Sequence, residues 1–293
     1  MLFFDSILAQ TCKPQRAAPI IPQLNWRHAM ANILDSFRLD GQVAIVTGSG
    51  RGIGAGTALA YADAGADVVV SARTVSQLEA TAEKIRERGQ RALVVPCDVL
   101  QAEQREALVA KTVEEFGRVD ILVNNAGGWP PKATLDTTES EFDACFRFNV
   151  TTALAMTRLC VPKMVETAGG GAIVNISSVA GRFNARGFAA YGVAKAALSF
   201  LTKNLAQDFA PKVRVNGIAV GSILTEALEG FMTDAFEQQM LAKTPMKRLG
   251  KVEDIAACAL YLASPAASYV TGEIYGVNGG LTQIQVEMPE ANL

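Results

Sequence analysis

Short apolar runs recur along the chain, separated by longer stretches in which apolar residues return every three or four positions. The runs at 43–47, 67–72, 92–96, 119–123, 172–177, 213–219 and 273–277 predict strands, and the patterns at 53–64, 75–88, 102–116, 139–166, 190–210, 225–242 and 252–263 predict helices. Strands such as VVVSA and AIVNI are apolar nearly throughout instead of alternating, which is the pattern of strands buried on both faces. Strands and helices that alternate in this order predict an α/β fold, a doubly wound seven-stranded parallel sheet covered on both sides. Ligands of such sheets bind beyond the C-terminal strand ends, so the residues just after each apolar run are the ones to read for chemistry.

Upstream of the first strand the pattern is different. Residues 1 to 29 lack either periodicity and carry Pro14, Pro19 and Pro22, so a disordered extension is expected there, the alternative being a short amphipathic arm packed on a partner subunit. The opening MLFFDSILAQ contains Asp5 and no basic leader, and its apolar run is short for a signal peptide or a membrane span. A single domain is expected over 30–293, with Met30 a candidate natural start.

Composition narrows the function. With 293 residues, 49% hydrophobic and 19% charged, the chain has material for one large core. A net charge of −2 gives no footprint for nucleic acid or an acidic membrane surface, which leaves a small molecule as the expected partner. Cys12, Cys97, Cys145, Cys160 and Cys258 show neither paired spacing nor a zinc pattern, and a reducing, cytoplasmic compartment is expected. His28 is the single histidine and precedes the core, so imidazole triads and most metal sites are excluded. Any proton donor has to be Tyr, Lys or a carboxyl group.

The first strand runs into GQVAIVTGSGRGIG, where Gly48, Gly50, Gly52 and Gly54 let backbone approach a ligand without a Cβ in the way. The helix that follows would aim its first N–H groups and its positive dipole end at the same spot, a cradle for an anion such as a dinucleotide pyrophosphate. The other strand ends present Ala72-Arg73, Asp98, Asn124-Asn125-Ala126-Gly127, Ser177-Ser178 and Gly221, all small, polar or charged. Tyr191 and Lys195 are four apart and share a helix face. A phenol titrates near pH ~10, and an ammonium at ~4 Å supplies about enough energy to bring it toward neutrality. Ser178 lies at a strand end 13 residues before Tyr191, so the chain can fold back and bring both hydroxyls to one carbonyl.

From about Leu39 to Thr282 the chain resembles a short-chain dehydrogenase/reductase, on TGSGRGIG (Thr47 to Gly54), Cys97-Asp98-Val99, NNAG (Asn124 to Gly127), Asn149, Ser178, YGVAK (Tyr191 to Lys195) and VNGIAVG (Val215 to Gly221). The resemblance implies a Rossmann fold and a catalytic set of Asn149, Ser178, Tyr191 and Lys195. In that set the serine holds the substrate oxygen, the tyrosine exchanges its proton, and Asn149 distorts its helix and holds a water that relays protons to Lys195; Ser177 is a helper or merely structural. For Asn149 the alternative is a simple hydrogen bond to a neighbouring turn. The implied cofactor contacts are Gly48, Ser49, Gly50, Arg51, Gly52, Ile53, Gly54, Arg73, Asp98, Val99, Asn125, Ala126, Gly127, Tyr191, Lys195, Gly221, Ile223 and Thr225. Asp98 would accept from the adenine amino group.

Charge argues for NADP(H). An NAD site places Asp or Glu at the end of the second strand, whereas here Ala72 stands there, Arg73 follows, and Arg51 lies in the glycine turn, so two guanidinium groups could converge on a 2′-phosphate. Two departures from the family pattern stand out. Val220-Gly221 replaces Pro-Gly and is expected to loosen the loop that carries Ile223 and Thr225, and Asn278 replaces the usual Asp before Gly-Gly at a subunit contact. The family implies a homo-oligomer, commonly a tetramer.

Within the family, VNGIAVGSILTEAL, TPMKRLG and SPAASYVTGE most resemble bacterial 7α-hydroxysteroid dehydrogenases, which implies a steroid-like secondary alcohol or ketone. The alternatives are a 3-oxoacyl thioester reductase and a non-catalytic NADP(H)-binding regulator. Substrate choice is expected in Trp129 to Lys132, Arg182 to Phe188 and Leu224 to Lys243. In the last, Leu228, Phe231, Met232, Phe236 and Met240 are expected to form a greasy helical lid over the nicotinamide side, at about 224–243, the alternative being a core-facing helix pair.

Overall fold

The computed structural model describes residues 32–225, 232–285 and 289. The extension expected over 1–29, with His28 and Cys12, lies outside the described residues, as do Met30, Leu228 and Phe231. The chain divides into two compact units, Met1–Ile33 and Leu34–Leu293, and the elements below belong to the second.

Seven parallel strands, β1 (Val43–Thr47), β2 (Asp67–Ser71), β3 (Ala92–Val94), β4 (Ile121–Asn124), β5 (Gly171–Ser178), β6 (Val213–Val220) and β7 (Ile274–Val277), form one sheet in the order β3-β2-β1-β4-β5-β6-β7. Among the described residues the α-helices are α1 (Gly52–Asp63), α2 (Val75–Arg86), α3 (Ala102–Phe116), α4 (Glu139–Phe146), α5 (Thr152–Ala168), α6 (Ala189–Phe209), α7 (Asp234–Ala242) and α8 (Val252–Ala263). This is the doubly wound order, a Rossmann fold, and its direction reverses between β1 and β4.

The apolar strands have the physical basis their composition implied. In β1, Ala44 and Val46 belong to one core while Val43 and Ile45 belong to the other, and β2 divides Val68 and Val70 from Val69 in the same way. Both faces are therefore dry, and each Val or Ile so buried contributes about 1.5–3 kcal/mol. On the first face α1 and α8 approach so closely that a Cβ on Gly56 would come within 2.0 Å of Val252 Cγ1. Tyr61 of α1 crosses that contact, buried, and donates its hydroxyl to the Ala259 carbonyl at 3.0 Å. The Arg214 guanidinium donates to the carbonyls of Leu262, Ala263 and Ser264 at 2.8, 3.1 and 3.2 Å, satisfying acceptors that the end of α8 leaves over.

Two helical predictions need correction. The single helix expected over 139–166 is broken by a π-helical turn at Arg147–Thr151 between α4 and α5. In the region expected to be helical over 225–242, the described helix is Asp234–Ala242. No helix among the described residues is long and apolar enough to cross a membrane.

Candidate active site

The reversal in strand order brings the ends of β1 and β4 together, and the glycine turn is built on that junction. The Thr47 hydroxyl donates to the Val123 carbonyl and accepts the N–H groups of Asn125 and Ala126, each at 3.1 Å. Asn125 returns the contact, its side-chain amide donating to the carbonyls of Thr47 at 2.9 Å and Gly48 at 3.1 Å. Gly48 and Gly52 have φ of +66° and +55°, in the left-handed region. A Cβ on Gly54 would lie 2.3 Å from the Gly48 carbonyl oxygen, so the turn and the first turn of α1 can close only on hydrogen. No side chain caps the start of α1 and no acidic residue sits in its first turn, so its leading N–H groups are open to an anion. Ser49 differs from its neighbours: buried, its hydroxyl donates to the Val46 carbonyl and accepts the N–H of Ser71, so that side chain builds the turn and does not face the cavity.

Two cavities meet at this turn and share Gly48, Arg51, Asn125 and Gly127. One, of about 350 Å³, extends over β2 and is lined by Gly50, Ala72, Arg73, Asp98, Val99 and Ala126. The other, of about 370 Å³, extends over β5 and β6 and is lined by Gly52, Ile53, Gly54, Ser178, Tyr191, Lys195, Gly221, Ile223 and Thr225. Together they make a trough along the C-terminal edge of the sheet, the place where a doubly wound fold takes a dinucleotide. Arg51 and Arg73 are exposed on its wall, and neither guanidinium has an ion-pair or hydrogen-bond partner among the described residues. Asp98 Oδ1 accepts the N–H of Leu100 at 3.0 Å, which fixes that carboxylate at the rim.

The catalytic candidates converge on the second cavity. Asn149 lies in the π-helical turn, buried, and its carboxamide explains the distortion: Nδ2 donates at 2.9 Å to the Cys145 carbonyl, which a regular α-helix would assign to the backbone N–H of Asn149. The same side chain clamps Gly128, accepting its N–H at 2.8 Å and donating to its carbonyl at 3.2 Å. Lys195, 4% exposed, donates from Nζ to the Ile176 carbonyl at 2.8 Å. A Cβ on Gly127 would meet Asn149 Oδ1 at 2.8 Å and Lys195 Nζ at 3.2 Å, so Gly127 is the floor on which both rest. Ser178 closes β5, its hydroxyl accepting the N–H of Ala180 at 3.1 Å. Ser177 is structural, bonded to the Lys195 carbonyl at 3.0 Å and the Ser199 hydroxyl at 2.7 Å.

The electrostatics differ from the simple expectation of a lysine that brings Tyr191 near neutrality. Burial pushes the Tyr191 hydroxyl up to about 12, and the hydrogen bond with Ser178 only partly opposes it. Burial also brings Lys195 down to about 8. Its Nζ lies 5.7 Å from the Tyr191 ring centre and donates to the Ile176 carbonyl.

A family model described as enoyl-(acyl carrier protein) reductase matches residues 48–282, a span that begins within the glycine turn and takes in the other motifs above. The chain belongs to the short-chain dehydrogenase/reductase family. It is 43% identical over 250 residues to a 7α-hydroxysteroid dehydrogenase of Escherichia coli (strain K12), covering 85% of this chain and 97% of that one. Among solved structures it is similar to a 7α-hydroxysteroid dehydrogenase complexed with NADH and 7-oxo glycochenodeoxycholic acid, with a TM-score of 0.82, 42% identity, and 86% of this chain and 98% of that one covered. It is also similar to a gluconate 5-dehydrogenase from Burkholderia cenocepacia J2315 in complex with NADP and tartrate, with a TM-score of 0.80, 34% identity, and 86% and 99% covered. The protein is thus an oxidoreductase of a family that uses nicotinamide cofactors.

Around this short-chain dehydrogenase/reductase centre lie residues that the motifs did not single out as contacts. Thr47 organises the turn, Gly128 receives Asn149, and Thr74, Gln77 and Phe148 line the cavity over β2. Trp129 packs with Tyr191 against one apolar cluster, and Phe183 and Phe188 pack with Tyr191 against a second. The two segments touch through the Lys132 N–H and the Gly187 carbonyl at 2.9 Å. Of the apolar residues in the third segment, Met240 is buried and Met232 and Phe236 are half-buried. The loosening expected after β6 finds a counterweight in the backbone: Val220 stands opposite Val277 as the last rung of β6, and the Gly221 N–H donates to the Val277 carbonyl at 3.0 Å. The two departures from the family pattern adjoin, since a Cβ on Gly221 would lie 2.7 Å from Asn278 Cα.

Proposed function

We propose that the protein transfers a hydride between NADP(H) and a secondary alcohol or ketone, with a hydroxysteroid or another bulky cyclic molecule as its substrate class. The observation that carries this reading is the convergence of Ser178, Tyr191 and Lys195 on one cavity with the glycine turn. The open helix start and the glycine cradle fit a pyrophosphate, and Gly48 to Gly54, Asp98, Val99, Asn125 to Gly127, Gly221, Ile223 and Thr225 would hold the dinucleotide along the trough. Bound there, the cofactor supplies or takes the hydride. Ser178 would hold the substrate oxygen, and Tyr191 would give it a proton in reduction or take one in oxidation. Lys195, fixed by the Ile176 carbonyl, would hold a positive charge beneath the reacting oxygen and offer its remaining N–H groups to a ribose. Asn149 would keep the Gly127-Gly128 floor in place and, through its helix distortion, leave backbone available to a relay water.

The similar solved structures carry different cofactors, so the choice of NADP(H) is argued from this chain. The Ala72 side chain offers no acceptor for a ribose 2′-hydroxyl, and Arg51 and Arg73, whose guanidinium groups have no partner among the described residues, line the same cavity and would suit a 2′-phosphate.

For the substrate, Trp129, Phe183 and Phe188 pack against the same apolar clusters as Tyr191, and two cations of those segments are already engaged: Lys132 with Glu141 at 2.7 Å, and Arg182 with the Ile274 carbonyl. A flat ring system suits an apolar flank beside Tyr191 better than a phosphorylated acyl carrier does. A 3-oxoacyl thioester reductase is the second reading, favoured by the description of the matching family model. A non-catalytic regulator would have no use for the Ser178, Tyr191 and Lys195 set. Competition decides between the first two: kcat/KM for a bulky cyclic oxo-steroid is expected to exceed that for a short 3-oxoacyl thioester by at least about tenfold. A preference for the thioester would overturn the substrate class.

We also propose a homo-oligomer, a tetramer by family. Phe142, Val193 and Phe200 are 36%, 49% and 68% exposed on α4 and α6, apolar side chains that a second copy would cover. Phe200→Glu is expected to lower the mass read by light scattering; a wild type that is monomeric at micromolar concentration would contradict the assembly.

A further inference from the structure

We infer that Gln285 is a positioning residue that fixes the Gly221–Thr225 loop, and with it one wall of the Tyr191 cavity, from the C-terminal end of the chain. The inference rests on the reading above only in taking that cavity as the one that receives the nicotinamide half of the cofactor.

Gln285 is 3% exposed and all of its polar groups are used. Its Oε1 accepts the Ser222 hydroxyl. Its Nε2 donates to the Met240 carbonyl at 2.9 Å and to the Thr244 hydroxyl, which itself donates to the Met240 carbonyl at 2.8 Å. Because a carbonyl can only accept, Met240 dictates which end of the carboxamide faces it, and the oxygen is left facing Ser222. The Gln285 backbone carbonyl accepts Lys243 Nζ at 3.1 Å. One side chain thus joins the end of α7 to Ser222, and Ser222 lies between Gly221 and Ile223, both of which line the Tyr191 cavity.

The loop has a second anchor, which shows what Gln285 adds. The Gly250 N–H donates to the Ser222 carbonyl at 3.0 Å and the Leu224 N–H donates to the Gly250 carbonyl at 2.8 Å. These backbone bonds hold the loop on one side and leave its tilt toward the cavity to the Ser222 side chain. The residue before Gln285 reaches the opposite wall: Ile284, 7% exposed, packs with Val179 and Ala180, directly after Ser178, in the cluster that Tyr191 and Phe188 cover. Two consecutive C-terminal residues therefore brace the cofactor loop and the flank of the catalytic serine.

A carboxylate distinguishes positioning from mere packing. In Gln285→Glu the ionised side chain can still accept from Ser222 and Thr244 but has no proton for the Met240 carbonyl, whereas the protonated form restores that donor. Apolar surroundings raise the carboxyl's pKa, so the variant should switch within an accessible range. The NADPH Kd of the variant relative to wild type, read by fluorescence titration at each pH, is expected to be about tenfold weaker at about pH 8 and to return within about twofold at about pH 5.5. Ser222→Ala should weaken binding without that pH dependence. Hydrogen exchange without cofactor gives an independent reading: amides of Ile223–Thr225 and of Met240–Thr244 should exchange faster together in Gln285→Glu at about pH 8, after correction for intrinsic rates. A pH-independent Kd ratio, or faster exchange in only one of the two segments, overturns the inference. If wild type binds no NADPH while both segments respond together, the positioning role stands and the cofactor reading fails instead.

Discussion

Tyr191→Phe is expected to bind NADPH as tightly as wild type and to lose about 10³-fold or more in kcat. The ring keeps its packing against Phe188 and the clusters around it, while the hydroxyl that would exchange a proton with an oxygen held by Ser178 is removed. Steady-state kinetics with a cyclic ketone, together with cofactor titration, measure both halves; near-normal turnover would show that another group carries the proton. The pH profile follows from the same geometry. Oxidation of an alcohol needs the phenolate, and burial lifts that hydroxyl to about 12, so kcat/KM for oxidation should rise with pH through the neutral range. Lys195 loses its charge as pH passes about 8, removing a positive charge near Tyr191, so the rise should slacken there. Reduction needs the neutral phenol and should stay flat over the same range. Lys195→Ala is expected to reduce both cofactor affinity and turnover, which separates it from Tyr191→Phe.

Arg73→Asp is expected to move the NADPH-to-NADH preference by at least about 10²-fold toward NADH. A charge-assisted contact to phosphate is worth about 1.5–3 kcal/mol, and the new carboxylate both repels a 2′-phosphate and offers an acceptor to a ribose hydroxyl. Arg51 lies at the junction of the two cavities and keeps one cation in place, so the variant should still bind NADPH weakly. Ratios of kcat/KM for the two cofactors, wild type against variant, give the shift directly. A wild type that prefers NADH would contradict the assignment, because Arg51 and Arg73, whose guanidinium groups have no partner among the described residues, would then have no phosphate to meet.

The sheet was legible because burial on both faces leaves a coarse mark: strands such as Val68 to Val70 must be apolar at successive positions, whichever face each one points to. The cradle was legible because only glycine tolerates the approach of Gly54 to the Gly48 carbonyl. What remained hidden depends on partners distant in sequence or on a local competition between side chain and backbone. The π-helical turn arises because the Asn149 amide takes the Cys145 carbonyl, and an apolar helical pattern over 139–166 does not display that exchange. Ser49 sits among cradle residues in sequence, yet its hydroxyl bonds Val46 and Ser71 in the core. The Tyr191–Lys195 spacing announced a shared helix face but not the commitment of Lys195 to the Ile176 carbonyl, nor the burial that raises Tyr191. Gln285 gave no signal, since its side-chain partners Ser222, Met240 and Thr244 lie 41 to 63 residues away along the chain.

The measurement closest to the central claim is the fate of the hydride. Wild type incubated with NADPH deuterated at the nicotinamide C4 and a bulky cyclic oxo-steroid should yield the secondary alcohol with deuterium on the carbinol carbon, and Tyr191→Phe under the same conditions should yield almost none. Absence of labelled alcohol from wild type with this and other secondary ketones, from a protein that binds NADPH, would contradict the account.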